Sequence, residues 1–260
     1  MTFGGAVSSC PQDRHPPAYW LALFGLLLAL VGCASAPQAN PHDPLEPFNR
    51  GVFRFNDTVD AAVVKPVAIF YRDHTPTRVR QGIGNVFGNL EDLWSAVNNA
   101  LQLQGRALTD SLTRVAINTV MGIGGVVDVA SEMDIERHTK DFGHTLGYWG
   151  VPAGPYLVLP ILGPSTLRDT VALPLDWQGD LVRQIPYVPG RNAATVLRGV
   201  DTRSSLLKAT GMLEEVALDR YTFTRDAFLQ RRRNDIFDGN PPEDEATPAQ
   251  QDPPDQKAEP

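Results

Sequence analysis

Residues 75–101, TPTRVRQGIGNVFGNLEDLWSAVNNAL, decide the fold class. Thr75-Pro76 is a helix-opening pair, with proline where a missing N–H costs nothing. Val79, Ile83, Val86, Leu90, Trp94, Val97 and Leu101 then recur at steps of three and four, which is one face of a 3.6-residue helix. The same period continues on both sides. Upstream, Asp43-Pro44-Leu45-Glu46 reads as an N-cap, a proline at N1 and an acid at N3. Phe48, Val52, Phe55, Val59 and Val63 follow on one face, and Pro66 is expected to end that helix. Downstream, Leu108, Leu112, Val115 and Thr119 predict a third helix, and Ala193, Val196, Val200 and Leu207 a fourth. Leu218, Tyr221 and Phe228 predict a fifth, closing on Arg231-Arg232-Arg233 as a solvated, cation-bearing helix end. No stretch alternates with period two, and no Asn-Gly or Asp-Gly pair joins two strand-like runs. The expectation is an all-α fold in a single helical domain.

The composition agrees with a folded protein and narrows its partners. The chain has 260 residues, 42% of them hydrophobic and 20% charged, which excludes a wholly disordered, collagenous or coiled-coil chain. A formal net charge of −7 excludes a nucleic-acid-binding surface, which needs excess cations. Much of the acidity lies in residues 239–260, where six acids face Lys257 alone among prolines and glutamines. That tail has no apolar residue larger than alanine and is expected to be disordered. The two cysteines, Cys10 and Cys33, cannot build a disulfide framework.

Cys33 points elsewhere. Ala18 to Val31 is an uncharged run of 14 residues, suited to a signal-peptide core and too short to span a bilayer as a helix. It runs into Leu30-Val31-Gly32-Cys33, which resembles a bacterial lipobox. The resemblance implies a signal peptide over 1–32, a diacylglyceryl thioether and an acylated amino terminus on Cys33, and a linker over 33–42. Ala34 in place of an aspartate after the cysteine is similar to the pattern sorted to the outer membrane. The folded domain is then expected over 43–238.

Residues 142–167 carry no Asp, Glu, Lys or Arg. They hold nine glycines and prolines, too many for a membrane-spanning helix. Two readings fit: a buried loop under the core, or a segment dipping into one leaflet. In the second, Leu146, Tyr148, Trp149, Tyr156, Leu157, Leu159, Ile161 and Leu162 are the lipid-contacting candidates, with the aromatics at the interface.

Catalytic signatures are missing from the sequence. There is no G-x-S-x-G, H-E-x-x-H, C-x-x-C or Walker pattern. The glycines at 122–125 precede no βαβ unit, so no nucleotide site is expected. His138 and His144 flank Asp141 without a paired-carboxylate motif, and no metal site is expected. Ser165, Asp169 and His144 could supply a triad only through a geometry that sequence does not give. Ser165 is better read as an N-cap before Thr166-Leu167-Arg168-Asp169.

Several blocks in order carry a resemblance. They are 43–50 with Phe55-Asn56, Asn85-Val86-Phe87-Gly88-Asn89-Leu90, Arg114 with Asn118-Thr119, and Gly122-Ile123-Gly124-Gly125 with Asp128. Asp141-Phe142-Gly143-His144-Thr145-Leu146-Gly147, 154–169 and Asp201-Thr202-Arg203 complete the set. Together they resemble the MlaA family, also called VacJ, across about 43–238. The resemblance implies a ring-like helical lipoprotein in the inner leaflet of the outer membrane, facing the periplasm. It further implies a central amphipathic channel for misplaced phospholipid, a Gly/Pro-rich membrane-dipping loop, a porin trimer as partner and a periplasmic phospholipid carrier as recipient. No cofactor and no enzymatic step are expected. Gly84 and Gly88 are spaced for close helix packing. An envelope scaffold without a lipid path and a lipid hydrolase remain as alternatives.

Overall fold

In the computed structural model, residues 43–241 are described. The expected signal peptide, the lipidation candidate Cys33, the expected linker and nearly all of the acidic tail lie outside the described residues. From Pro47 onward the described residues form one compact unit.

The fold is helical. In chain order it has α1 (Glu46–Val59), a π-helical turn (Asp60–Val64), α2 (Lys65–His74), α3 (Thr77–Leu101), α4 (Gly105–Val120) and a single turn α5 (Val129–Glu132). Next come α6 (Phe142–Tyr148), strands β1 (Tyr156–Leu159) and β2 (Gly163–Thr166), α7 (Leu167–Gly179), α8 (Val188–Val216) and α9 (Arg220–Ile236). The principal packings are α4 against α3, α2 against α8 and α6 against α7.

Three local expectations are corrected. Pro66 does not end the first helix. The Lys65 N–H donates to the Asp60 carbonyl five residues back, so the ladder restarts and Pro66 falls in the first turn of α2, where no donor is required. The uncharged segment also contains a hairpin: β1 and β2 are antiparallel, with Tyr156 opposite Thr166 and Leu159 opposite Gly163. Its turn places Ile161 at φ 67° and Gly163 at φ 84°, left-handed positions that Asn-Gly would have announced and Ile161 conceals. Finally, the cap of α7 is Thr166, whose side chain accepts from the Asp169 N–H at 3.2 Å. Ser165 lies in β2 and its hydroxyl meets the Thr166 carbonyl and the Thr170 hydroxyl.

The periodic stripes do form helices, but they face the wrong way for a water-soluble core. On α3 the buried residues are Gly82, Gly88, Asn89, Asp92, Ser95, Ala96, Asn98 and Asn99. The apolar stripe opposite is half-buried or exposed, with Val79, Val97 and Leu101 over 40% accessible. On α4 the buried residues are Ala107, Ser111, Arg114 and Asn118, while Leu112 is exposed. Among the described residues twenty polar or charged side chains are buried against ten hydrophobic ones, five of which are alanines. The one aromatic core is small. Tyr156, Val158 and Tyr221 pack with Val52, Phe53, Phe228 and Leu229 beneath the hairpin.

Candidate functional site

The polar interior is built from ion pairs that satisfy one another. Arg114, 1% exposed, is the largest fully buried side chain. Its Nη2 donates to both Asp128 oxygens at 2.9 Å, its Nε to Asp92 Oδ2 at 3.3 Å and its Nη1 to the Ile135 carbonyl at 2.6 Å. Arg137 adds a second cation to Asp92 at 3.1 Å. Gly88 is small because the Arg137 guanidinium occupies the space of its missing Cβ, and Gly84 faces the Asp201 carboxylate. Both glycines therefore admit charged side chains rather than a neighbouring helix backbone. Burial pushes the Asp128 carboxyl up. Hydrogen bonds from Ser131 and Asn118 and the Arg114 charge outweigh it, leaving Asp128 at about 2. Burial dominates at Asp92 and raises it despite its two arginines.

A second network joins α6, α7 and α9. Arg232 grips Asp141 with two bonds of 2.6 and 2.7 Å and reaches Asp169 Oδ2 through Nε at 2.9 Å. Arg168 closes on the other Asp169 oxygen at 3.0 Å. Asp141 caps α6, accepting from the His144 N–H at 2.8 Å, while His144 Nδ1 accepts from the Asp141 N–H. Burial alone would raise the Asp141 carboxyl. The contacts with His144 and Arg232 outweigh it and hold Asp141 well below the usual carboxylate range. The expectation that the 231–233 arginines form a solvated helix end is thus wrong for Arg232, which is 13% exposed, and right for Arg231, which is 84% exposed. Sequence could not tell them apart because the partners that bury Arg232 lie 63 to 91 residues away.

The triad candidates are brought near each other but not into a triad. Asp169 and His144 share Arg232 as a partner, and Ser165 bonds only to Thr166 and Thr170. Among the described residues no three His, Cys, Asp or Glu side chains converge as metal ligands. His138 instead meets Asp110 at 3.1 Å.

The hairpin is held by amides. Asn49 donates to the Tyr156 carbonyl and accepts from the Val158 N–H, both at 2.9 Å. Seven residues on, Asn56 donates to the Leu159 carbonyl at 2.9 Å and accepts from the Ile161 N–H at 2.7 Å. One face of α1 therefore completes the free edge of β1, as a third strand would. Of the lipid-contacting candidates, Tyr148, Trp149, Ile161 and Leu162 are exposed, and Leu146, Leu157 and Leu159 are half-buried. Tyr156 is 1% exposed in the aromatic core, so it is withdrawn from that set. Sequence reasoning missed the exposed apolar residues outside 142–167: Phe48, Phe55, Val67, Phe70, Val120, Met121, Ile123 and Val171. Phe48 and Phe55 stood on the first helical stripe, whose period does not say which side faces solvent; the other six belonged to no stripe.

A hydrogen-bonded ionic interior beneath apolar side chains is the polarity that an apolar medium selects, since lipid offers no partner to a bare polar group. Among the described residues no helix is long and apolar enough to cross a membrane. The class, over the described residues, is thus a helical protein with a polar, ion-paired interior and exposed apolar faces. The chain belongs to the family described as MlaA lipoprotein, which matches residues 41–235. It is 38% identical over 208 residues to "Intermembrane phospholipid transport system lipoprotein MlaA" of Escherichia coli (strain K12), covering 78% of this chain and 82% of that one. The protein of that name from Haemophilus influenzae is 30% identical over 229 residues, covering 82% and 88%. A solved structure reported as "Structural basis for maintenance of bacterial outer membrane lipid asymmetry" matches with a TM-score of 0.66 and 36% identity, over 76% of this chain and 99% of that chain.

Proposed function

We propose that this protein is an outer-membrane lipoprotein, anchored on the periplasmic side through acylated Cys33, that withdraws mislocalised phospholipids from the outer leaflet. They pass through an amphipathic channel in a ring of helices to a periplasmic carrier, beside a porin trimer, and lipid asymmetry is maintained. The observation that carries the reading is the inverted polarity: large apolar side chains are exposed on many elements, while the buried residues are mainly polar and ionic. The relatives named for phospholipid transport support the substrate class.

The physics favours a passive path. Drawing a two-chain lipid into water exposes on the order of 30 CH₂ groups, or about 20 kcal/mol or more. A route that keeps the headgroup on polar side chains and the tails in the bilayer avoids most of that. Leu146, Tyr148, Trp149, Leu157, Leu159, Ile161 and Leu162 are the proposed lipid contacts on the membrane-dipping segment. No bond need be broken, so the protein acts without a cofactor and not as an enzyme. The test is outer-leaflet phospholipid, measured by surface labelling with and without the gene. Loss should raise it and weaken the barrier to detergent; unchanged asymmetry refutes the reading.

A further inference from the structure

Between the α7–α8 connection and the start of α8 lies a cleft of about 580 Å³ lined by Arg183, Arg191, Asn192, Thr195 and Val196. That volume is in the range of small-molecule sites. The Arg191 guanidinium, half-buried, has no ion-pair or hydrogen-bond partner among the described residues. Arg183 lies over the Trp177 ring at 4.6 Å, with its Nε 3.5 Å from Asp180. Asp180 is already committed. Arg198 holds both its oxygens, at 3.0 and 2.6 Å, and the Val182 N–H donates to one of them. Arg183 and Arg198 thus share one carboxylate, Arg191 has none, and no acidic side chain lines the cleft itself. Val196 is the one apolar residue of its lining, and exposed apolar side chains stand close by in the chain or in space: Tyr187 and Val188 before Arg191, and Trp177 under Arg183.

We propose that this cleft seats the phosphodiester of a phospholipid and prefers a net anionic headgroup, such as phosphatidylglycerol, to a zwitterionic one. The phosphate oxygens accept from Arg191 and Arg183, whose planar forks suit a phosphate. The acyl chains leave over Val196 and between the aromatics, which sit as interfacial Trp and Tyr do. A zwitterionic headgroup brings an ammonium with no free carboxylate to meet it, so the second charge of its headgroup finds only cations. An anionic headgroup meets no such repulsion. The proposal rests on the reading above only for the source of the phosphodiester, a membrane lipid.

The test uses the full-length protein in neutral detergent with brominated-chain lipids as probes. Bromines near Trp177 quench its emission, and Trp177→Phe identifies that component of the signal. Brominated phosphatidylglycerol should bind more tightly than brominated phosphatidylcholine. Arg191→Gln should weaken phosphatidylglycerol binding about fivefold and leave phosphatidylcholine unchanged, while Arg191→Lys keeps most of the preference. Asn192→Lys, which adds a cation to the cleft, should tighten phosphatidylglycerol by a similar factor, so the idea stays testable if Arg191→Gln folds poorly. Equal affinity for the two lipids, or a folded Arg191→Gln that binds both as before, overturns it. Displacement by glycerol 3-phosphate as efficient as by the whole lipid also overturns it, because the site would then serve a free phosphate ester. Unchanged asymmetry on gene loss would refute the transport reading and leave this headgroup preference standing.

Discussion

Replacing Asn49 by alanine isolates the amide clasp on β1. The side chain holds the Tyr156 carbonyl and the Val158 N–H, and Tyr156, Val158 and Asn49 are each at most 1% exposed. Water cannot reach the two groups that Asn49→Ala releases, and each unpaired buried group costs about 1–3 kcal/mol. The sum is roughly 2–6 kcal/mol, or roughly 4–24 °C in melting temperature for a chain of this size. Asn56→Ala releases two groups as well, but they belong to half-buried Leu159 and exposed Ile161. In detergent, where water reaches the hairpin tip, its cost should stay below about 1 kcal/mol. Thermal melts followed by far-UV circular dichroism give the comparison, and hydrogen exchange at the Val158 amide localises it. An Asn49→Ala melt within about 2 °C of wild type, or equal losses in the two variants, refutes the argument.

Ile161→Asp or Leu162→Asp should abolish lipid transport, since a carboxylate in hydrocarbon costs about 2–3 kcal/mol or more, and spin labels at both positions should report depth below the headgroups. Labels that see only bulk water would sink the membrane-dipping reading. Thr166→Ala should cost about 1 kcal/mol through the lost cap and Ser165→Ala less, measured by denaturation. Purified protein given phospholipid vesicles should release no fatty acid, and lysophospholipid formation that vanishes in Ser165→Ala would promote the hydrolase. Acid stability follows from Asp128, whose folded carboxyl stands at about 2 against an ordinary 3.8. The folded value is the lower, so its stabilisation is complete above about pH 4 and drains as the pH falls through about 2; Asp128→Asn should flatten that limb of the melting-temperature profile. Cys33→Ala should leave an unprocessed, unacylated precursor by mass spectrometry.

The helices with apolar stripes, α1, α3, α4, α8 and α9, were legible in the sequence, because the three-and-four spacing survives whichever way the helix faces; α2, α5 and α6 were not. Orientation was not. Val79, Val97 and Leu101 mark one helical face, but period reports amphipathicity and says nothing about which solvent lies on which side. The polar stripe through Asn89, Asp92, Asn98 and Asn99 carries the same period and was the better clue: four amides and acids on one helical face need buried partners or water. The hairpin was hidden for a different reason. Four-residue strands give too few alternations, and β1 completes its hydrogen bonding with asparagine side chains 103 and 107 residues upstream. The Arg232 cluster is likewise long-range, while the Asp141 cap and its reciprocal His144 are local and could have been read from Asp-x-x-His beside the helix start.

The exposed apolar side chains on α1, α2, α7 and the hairpin bear on how the molecule is delivered. A folded chain that presents Phe70, Val171 and Ile161 to water is a sticky colloid at micromolar concentration, and its own native state is the hazard. Refolding chaperones that sense only unfolded segments would release it too early. Any escort would have to mask a finished surface and be displaced from it by lipid through mass action. Native protein without detergent should therefore sediment as oligomers that dissolve on adding lipid, and a monodisperse monomer in plain buffer would remove the need for such an escort.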